Sequence, residues 1–107
     1  MSADRELLEL AARAAGYQIE WNDWRDCGWW TDYRKIHGGY WNPLINDGDA
    51  LRLAVKLNIT IQIDSVDAVA IRSGSIVGQR EFMESDPCAA TRRAIVRAAA
   101  EIGREEP

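Results

Sequence analysis

The sequence predicts one small α+β domain, a three-layer α/β/α sandwich with a mainly antiparallel sheet and three helices. The chain has 107 residues, of which 47% are hydrophobic and 28% are charged, and this length and composition are typical of one globular domain. Apolar residues recur at helical spacing near both ends of the chain and after residue 47, whereas they alternate at the spacing of strands from residue 59 onward. A single domain over residues 1–107 is therefore expected.

The first two helices are predicted at about residues 4–15 and 48–57. Leucines and alanines repeat at helical spacing in the first segment, and Gly16 follows where a C-terminal cap is expected. Asn46 and the acidic residues after it offer N-cap acceptors and first-turn negative charge for the second helix. The periodic set that predicts this second helix is Leu51, Ala54, Val55 and Asn58.

The third helix has the clearest start signal in the chain. Asp86 can cap it, and Pro87 suits the first helical position because the N–H that proline lacks would have no partner there. The helix is predicted to continue to about residue 102, with Gly103 as its C-terminal cap and residues 103–107 as a frayed tail. Its apolar stripe is expected to contain Ile95, Ala98, Ala99 and Ile102.

Three consecutive strands are predicted before this helix, at residues 59–63, 66–71 and 76–83. Isoleucines alternate with polar residues in the first strand, and turn residues at 64–65 and 73–74 separate the three segments. These three strands are therefore expected to form an antiparallel meander. Small alanines on one face of the middle strand and branched residues on the other suit helices on both sides of the sheet.

The segment between the first two helices is predicted to be mostly irregular. Large side chains alternate with Gln18 and Glu20 over residues 17–21, which favours a short extended stretch. Residues 22–46 mix glycines and a proline with many aromatics, so they are interpreted as an ordered loop that can include a strand at 29–34.

Charge and hydropathy exclude two classes of partner. The net charge of −4 and the pI near 4.9 repel phosphate backbones, so binding to duplex nucleic acid is not expected. No apolar run approaches the ~18 residues that span a bilayer, and the charged N-terminus differs from a signal peptide. The expected location is the cytoplasm, without a membrane partner.

Residue patterns that would support catalysis or metal binding are weak. Cys27 and His37 supply the residue types of a nucleophilic pair, but nothing in the sequence places them in contact or supplies a third, orienting group. The stretch 47–49 resembles the start of a calcium loop without its later ligands, and helix capping explains it. Asp64 and Asp67 are interpreted as solvated turn residues. We expect no enzyme, no metal site and no cofactor.

Aromatic residues are concentrated in one part of the chain. Eight of the nine lie between Tyr17 and Trp41. Tryptophan and tyrosine suit protein interfaces and ring stacking, although such rings can equally close one side of a small core. Adjacent Trp29 and Trp30 point to opposite faces of an extended segment, so both cannot enter one core. The candidate binding residues here are Trp24, Trp29, Trp30, Tyr40, Trp41 and Asn42.

A basic cluster on the third helix completes the set of candidate binding residues. Arg92, Arg93 and Arg97 lie close together in sequence, and guanidinium groups can bind phosphate or an acidic partner. A solvated helix face is the alternative interpretation. Arg92 and Arg93 are retained as candidate ligand-binding residues.

Two parts of the sequence resemble the phage ABA sandwich domain family. The first part is Trp41-Asn42-Pro43-Leu44 with the helix Asp47 to Leu57, and the second is the alanine- and arginine-rich stretch from Ala89 to Ala100. With the N-terminal helix, the likeness spans most of the chain. The resemblance implies a phage or prophage origin and a sheet covered by helices on both sides, and it implies no catalytic residues.

Two functional hypotheses follow from these residues. The first is a phage accessory protein that binds a host or phage protein through the aromatic segment 21–42 and the adjoining start of the second helix. The second is a binder of a small nucleotide-like ligand, in which Trp41 or Trp29 stacks on a base and Arg92 or Arg93 meets phosphate. An enzyme that uses Cys27 and His37 ranks last.

Overall fold

The residues that the structure describes form three helices and two antiparallel sheets. A computed structural model describes residues 3–22, 27–29, 40–75, 78–83 and 85–105. Along the chain its elements are α1 (Ala3–Ala15), β1 (Glu20–Asn22), β2 (Cys27–Trp29), α2 (Asp47–Lys56), β3 (Thr60–Ile63), β4 (Asp67–Ile71), β5 (Gln79–Phe82) and α3 (Pro87–Glu105). The predicted α+β class with three helices is confirmed.

The larger sheet is the predicted meander. Its order is β3-β4-β5 with both pairs antiparallel, and its register places Ile63 opposite Ala68 and Ala70 opposite Gln79. The small sheet pairs β1 with β2, with Trp21 opposite Gly28. The extended stretch expected at 17–21 overlaps β1 only at residues 20 and 21, whereas most of the optional strand at 29–34 lies outside the described residues.

Helix α3 is the centre of the packing. The main helix contacts of β4 and β5 are with α3, and both α1 and α2 also pack against α3. Ala68 and Ala70 are buried on the sheet face that meets α3. Their small side chains allow the helix to pack closely on the sheet. On the opposite face, where the sandwich prediction places further helices, Val69 is half-buried and Phe82 is exposed.

The ends of the helices follow the predicted caps. Gly16 follows α1 with φ +80°, a left-handed conformation that glycine adopts without steric cost. Asn46 caps α2, and its side-chain oxygen accepts a 2.9 Å hydrogen bond from the backbone N–H of Asp49. Asp86 caps α3 by accepting from the N–H of Ala89 at 3.1 Å.

The predicted end of the third helix is corrected. Gly103 is not a cap, because α3 continues through it to Glu105 and Gly103 is buried. A Cβ at this position would lie 2.8 Å from the carbonyl carbon of Leu10 in α1 and still closer to its oxygen. The residue is glycine because two helix backbones meet there. No helix among the described residues has the length and apolarity needed to cross a bilayer.

The apolar face of the second helix is also corrected. Residues Ala50, Leu53 and Ala54 are its buried apolar residues, whereas Leu51 and Val55 of the predicted periodic set are exposed. The helix ends at Lys56, and Asn58, which the prediction included in the set, lies beyond it with φ +54°. Helix α2 therefore presents two large apolar side chains to solvent.

Candidate functional site

An apolar groove lies where α2, β3 and the start of α3 meet. Its volume is about 360 Å³, within the lower part of the range of ligand pockets. We call it the α2–β3 groove. It is lined by Asp47, Ala50, Leu51, Ile61, Ile63, Met83, Pro87, Cys88, Thr91, Arg92 and Ile95.

Two large apolar side chains that line the groove are exposed to solvent. Leu51 of α2 is 59% exposed and Ile63 of β3 is 63% exposed. Ala50 and Ile95, which also line the groove, are buried in the core. Exposed apolar surface over a concave site marks interaction surfaces more often than isolated exposed residues do. Val55, one turn after Leu51, is 69% exposed and does not line the groove.

Arg92 lies at the groove but is already bonded within the chain. Its Nε donates to the carbonyl oxygen of Leu44 at 2.8 Å, and its Nη1 lies 2.6 Å from Oδ1 of Asp47. Its side chain is mostly buried. Arg92 therefore holds the segment before α2 against α3, and binding a phosphate would require these bonds to break.

The other two arginines of the basic cluster are also paired. Nη1 of Arg93 lies 3.0 Å from Oδ1 of Asp4 in α1. Arg97 donates to the carbonyl oxygen of Arg80 at 3.0 Å and also pairs with Glu81. The cluster predicted from sequence thus connects α3 to three different parts of the fold.

Trp41 is a core residue in the structure. Its side chain is 0% exposed, and its ring meets the edge of Tyr17 at a centroid distance of 5.6 Å and an interplanar angle of 86°. Burial raises the pKa of the Tyr17 hydroxyl, and the Nζ of Lys56 lies 4.5 Å from the centre of the Tyr17 ring. The Trp41 ring consequently has no free face on which a base could stack.

Asn42 belongs to a hydrogen-bonded network that starts α2. The buried carboxylate of Asp49 accepts from the N–H of Asn42 at 2.9 Å and from Nη2 of Arg52 at 2.9 Å. The side-chain oxygen of Asn42 accepts from the N–H of Leu44 at 3.0 Å, while its carbonyl oxygen accepts from the N–H of Asn46 at 3.0 Å. The Trp-Asn-Pro element is therefore tied to α2 by internal bonds.

Replacing Asp49 with alanine should destabilise the protein by about 2 kcal/mol, because the buried N–H of Asn42 loses its acceptor. Chemical denaturation measures the change. Glu9→Ala is the control, since it also removes a carboxylate from a helix, but one that is exposed on α1. Equal losses for the two variants would contradict the structural role of Asp49.

Two of the four remaining aromatic candidates lie outside the described residues. Trp24 and Trp30 are outside the described residues, and Trp29 lies in β2 with only its backbone described. Tyr40 is 42% exposed. His37 is outside the described residues, so the pairing with Cys27 stays untested.

The described residues bring together no cluster of three or more His, Cys, Asp or Glu side chains that could hold a metal ion. Asp64 instead closes the β3–β4 turn, where its Oδ1 accepts from the N–H groups of Val66 at 2.8 Å and Asp67 at 3.0 Å. The backbone N–H groups of Asp67 and Val66 lower the pKa of the Asp64 carboxyl.

Sequence reasoning did not identify the α2–β3 groove. The helical periodicity places Leu51 in the apolar set of α2, and the alternation of isoleucines places Ile63 on a half-buried strand. Neither pattern indicates that the two side chains line one groove. One sequence signal was present, since β3 carries no charged residue whereas β5 carries Arg80 and Glu81. Natural proteins often place charged residues on edge strands, among other protective features.

Comparison with known proteins identifies no relative. No protein-family model matches the chain, and neither a curated protein nor a solved structure matches it. The resemblance to the phage ABA sandwich domain family accordingly stays a prediction from the sequence.

Proposed function

We propose that this protein acts by binding another protein, and that the α2–β3 groove receives the partner. The observation that carries the proposal is the exposure of Leu51 and Ile63 on the walls of an apolar groove. Both side chains would leave water on binding, and burying a large aliphatic side chain contributes about 1.5–3 kcal/mol. A small number of buried residues supplies most of the affinity in protein interfaces.

The resemblance in sequence extends this proposal to an origin and a location. A phage or prophage accessory protein would meet its partner, a host or phage protein, in the cytoplasm of a bacterium. The aromatic segment 21–42, which the sequence analysis names as the binding segment, lies largely outside the described residues.

A nucleotide-like ligand has less support from the geometry. The proposed stacking ring of Trp41 is buried, and Arg92 and Arg93 are paired with Asp47 and Asp4. Stacking on Trp29 would need a phosphate-binding group near β2. We therefore place protein binding first.

Selection from a random peptide library tests the proposal. Peptides of about 16 residues, long enough for about four helical turns, are selected on the purified protein and counter-selected on the Leu51→Asp variant. We expect enriched peptides that bind the wild-type protein with a Kd on the order of micromolar and bind Leu51→Asp at least about tenfold more weakly. The reason is that a carboxylate on the groove wall must lose water when an apolar side chain enters.

The matched control is Val55→Asp, which makes the same change of chemistry on the same helix outside the groove. Selected peptides should bind this variant as tightly as they bind the wild-type protein. Peptides that lose affinity equally for both variants would show that net charge, and not the groove, governs binding. A library without any enriched peptide would refute the proposal.

A further inference from the structure

The two edge strands of the larger sheet, β3 and β5, differ in how they are protected. The carbonyl oxygen of Arg80 in β5 accepts a 3.0 Å hydrogen bond from Nη1 of Arg97 in α3, and β5 carries two charged residues, Arg80 and Glu81. Charged side chains on an edge discourage pairing with a further strand. Strand β3 has neither a charged residue nor a proline, and among the described residues it pairs only with β4. Its outer edge therefore lacks these protective features.

One backbone hydrogen bond shows which residues of β3 point away from β4. The N–H of Asp64 donates to the carbonyl oxygen of Asp67 at 3.0 Å. In an antiparallel pair, residues that bond to the partner strand alternate with residues whose N–H and C=O groups point away from it. Asp64 and Gln62 therefore face β4, whereas Ile61 and Ile63 present their backbone groups to the outside. We call this surface the β3 edge.

The β3 edge offers four backbone groups and apolar side chains beside them. The N–H of Ile59, which precedes the edge, already donates to Ala54 at 2.9 Å. No turn or loop hydrogen bond within the described part of the chain joins the outward groups of Ile61 or Ile63 to another backbone group. The exposed side chains of Ile63 and Leu51 lie next to them on the α2–β3 groove. An edge of this kind is a template for a further strand.

We propose that two copies of this protein pair through their β3 strands in antiparallel orientation, around a two-fold axis that passes between the two Gln62 residues. This register places Ile61 of each copy opposite Ile63 of the other. Each of these two pairs exchanges two N–H to C=O bonds, four in all. The two three-stranded sheets would become one continuous sheet. The inference goes beyond the proposed function, because it requires no other protein.

The side chains of β3 are complementary to those of a second copy in this register. On the face toward α3, each Ile61 meets the Ile63 of the other copy. On the opposite face the two Gln62 amides, each both donor and acceptor, lie opposite one another. The hydroxyl of Thr60 lies opposite the carboxylate of Asp64, to which it can donate. The two Asp64 carboxylates are at opposite ends of the paired strands, so the net charge of −4 places no like charges in contact there.

The backbone groups of the β3 edge distinguish a strand from a helix as its occupant. A helix uses its own N–H and C=O groups internally, so it would leave those of Ile61 and Ile63 without partners. A second strand satisfies all four. Because Ile63 also lines the α2–β3 groove, a second copy would cover part of that groove, and another protein would compete with it.

Sedimentation equilibrium of the full chain between about 1 μM and 1 mM tests the pairing. We expect a monomer–dimer equilibrium with a Kd on the order of 10 μM. Ile63→Lys should raise this Kd at least about tenfold, because the ammonium group would have to lose water at the interface. The matched control is Phe82→Lys on β5, which makes the same charge change at a side chain of similar exposure, 62% against 63%. Its Kd should stay within about twofold of the wild-type value.

Amide hydrogen exchange of the wild-type protein, followed by NMR, locates the interface without any substitution. The N–H groups of Ile61 and Ile63 should exchange roughly fivefold more slowly at about 1 mM protein than at about 20 μM, since only the dimer gives them acceptors. The N–H of Gln62 is the internal control. It faces β4, so its exchange should be slow at both concentrations.

The outcomes separate this inference from the proposed function. A protein that stays monomeric at about 1 mM would overturn the pairing and leave the groove as a site for another protein. A dimer in which Ile61 and Ile63 exchange at unchanged rates would also overturn it, because the copies would meet elsewhere. Equal weakening by Ile63→Lys and Phe82→Lys would show that net charge, and not the β3 edge, governs association. A peptide selection that fails would refute the proposed function alone.

Discussion

The Gly103→Ala variant is expected to unfold about 3 kcal/mol more easily than the wild-type protein, although alanine is the better helix former. Gly103 lies inside α3, where a Cβ would be 2.8 Å from the carbonyl carbon of Leu10 and closer to its oxygen. A backbone atom cannot rotate away, so α1 and α3 must separate. Among the described elements, the contact between these two helices is the most extensive. Urea denaturation measures the change, and far-UV circular dichroism checks that helix content is retained.

Gly48→Ala is the control for this variant. Gly48 also lies in a helix, but a Cβ there would meet the ends of the Arg52 and Asn46 side chains at 3.1 and 3.2 Å. Flexible side-chain ends can shift, so stability should stay within about 1 kcal/mol of the wild-type value. A Gly103→Ala protein as stable as Gly48→Ala would contradict the close approach of α1 and α3.

The elements that the sequence predicted well are those that depend on neighbouring residues. The caps at Gly16, Asn46 and Asp86 are formed by contacts within a few positions along the chain. The turn at Asp64 likewise uses N–H groups two and three residues away. Such patterns can be interpreted from a single sequence because the residue type supplies both the geometry and the hydrogen-bond partner.

The features that were predicted poorly depend on distant residues. Gly103 resembles a cap in sequence, and only the position of Leu10, far away in the chain, shows that it is a packing residue. In α2, alanines and larger apolar residues occur on several sides. The sequence pattern alone does not show that Ala54 is buried and Val55 exposed.

The candidate site shows the same limit. Its lining comes from α2, β3 and α3, so no short motif contains it. The Trp-Asn-Pro element is noticeable in sequence, but Trp41 packs in the core and the backbone N–H of Asn42 donates to Asp49 of α2. Arg92, chosen as a phosphate ligand, is bonded to Leu44 and Asp47. The residue types of Trp41, Asn42 and Arg92 indicate that these positions matter. Their contacts in the fold show that the role is structural.

Trp41→Ala should destabilise the protein by about 4 kcal/mol, the cost of removing a fully buried tryptophan from a core. A domain of this size is stable by roughly 5–15 kcal/mol in total, so much of its stability would be lost. The melting temperature should fall by more than about 15 °C. The edge contact with Tyr17 is lost as well, which adds to the effect. Differential scanning calorimetry measures both quantities.

Trp41→Phe and Tyr40→Ala separate a packing role of Trp41 from a binding role. Phenylalanine refills part of the cavity, so Trp41→Phe should lose roughly half as much stability as Trp41→Ala. Tyr40 is 42% exposed beside it in sequence, and its removal should cost less than either change. Because Trp41 does not line the α2–β3 groove, folded Trp41→Phe should bind the peptides selected on the wild-type protein with wild-type affinity. Loss of peptide binding at unchanged melting temperature would instead make Trp41 a binding residue, as its place in the aromatic segment first suggested.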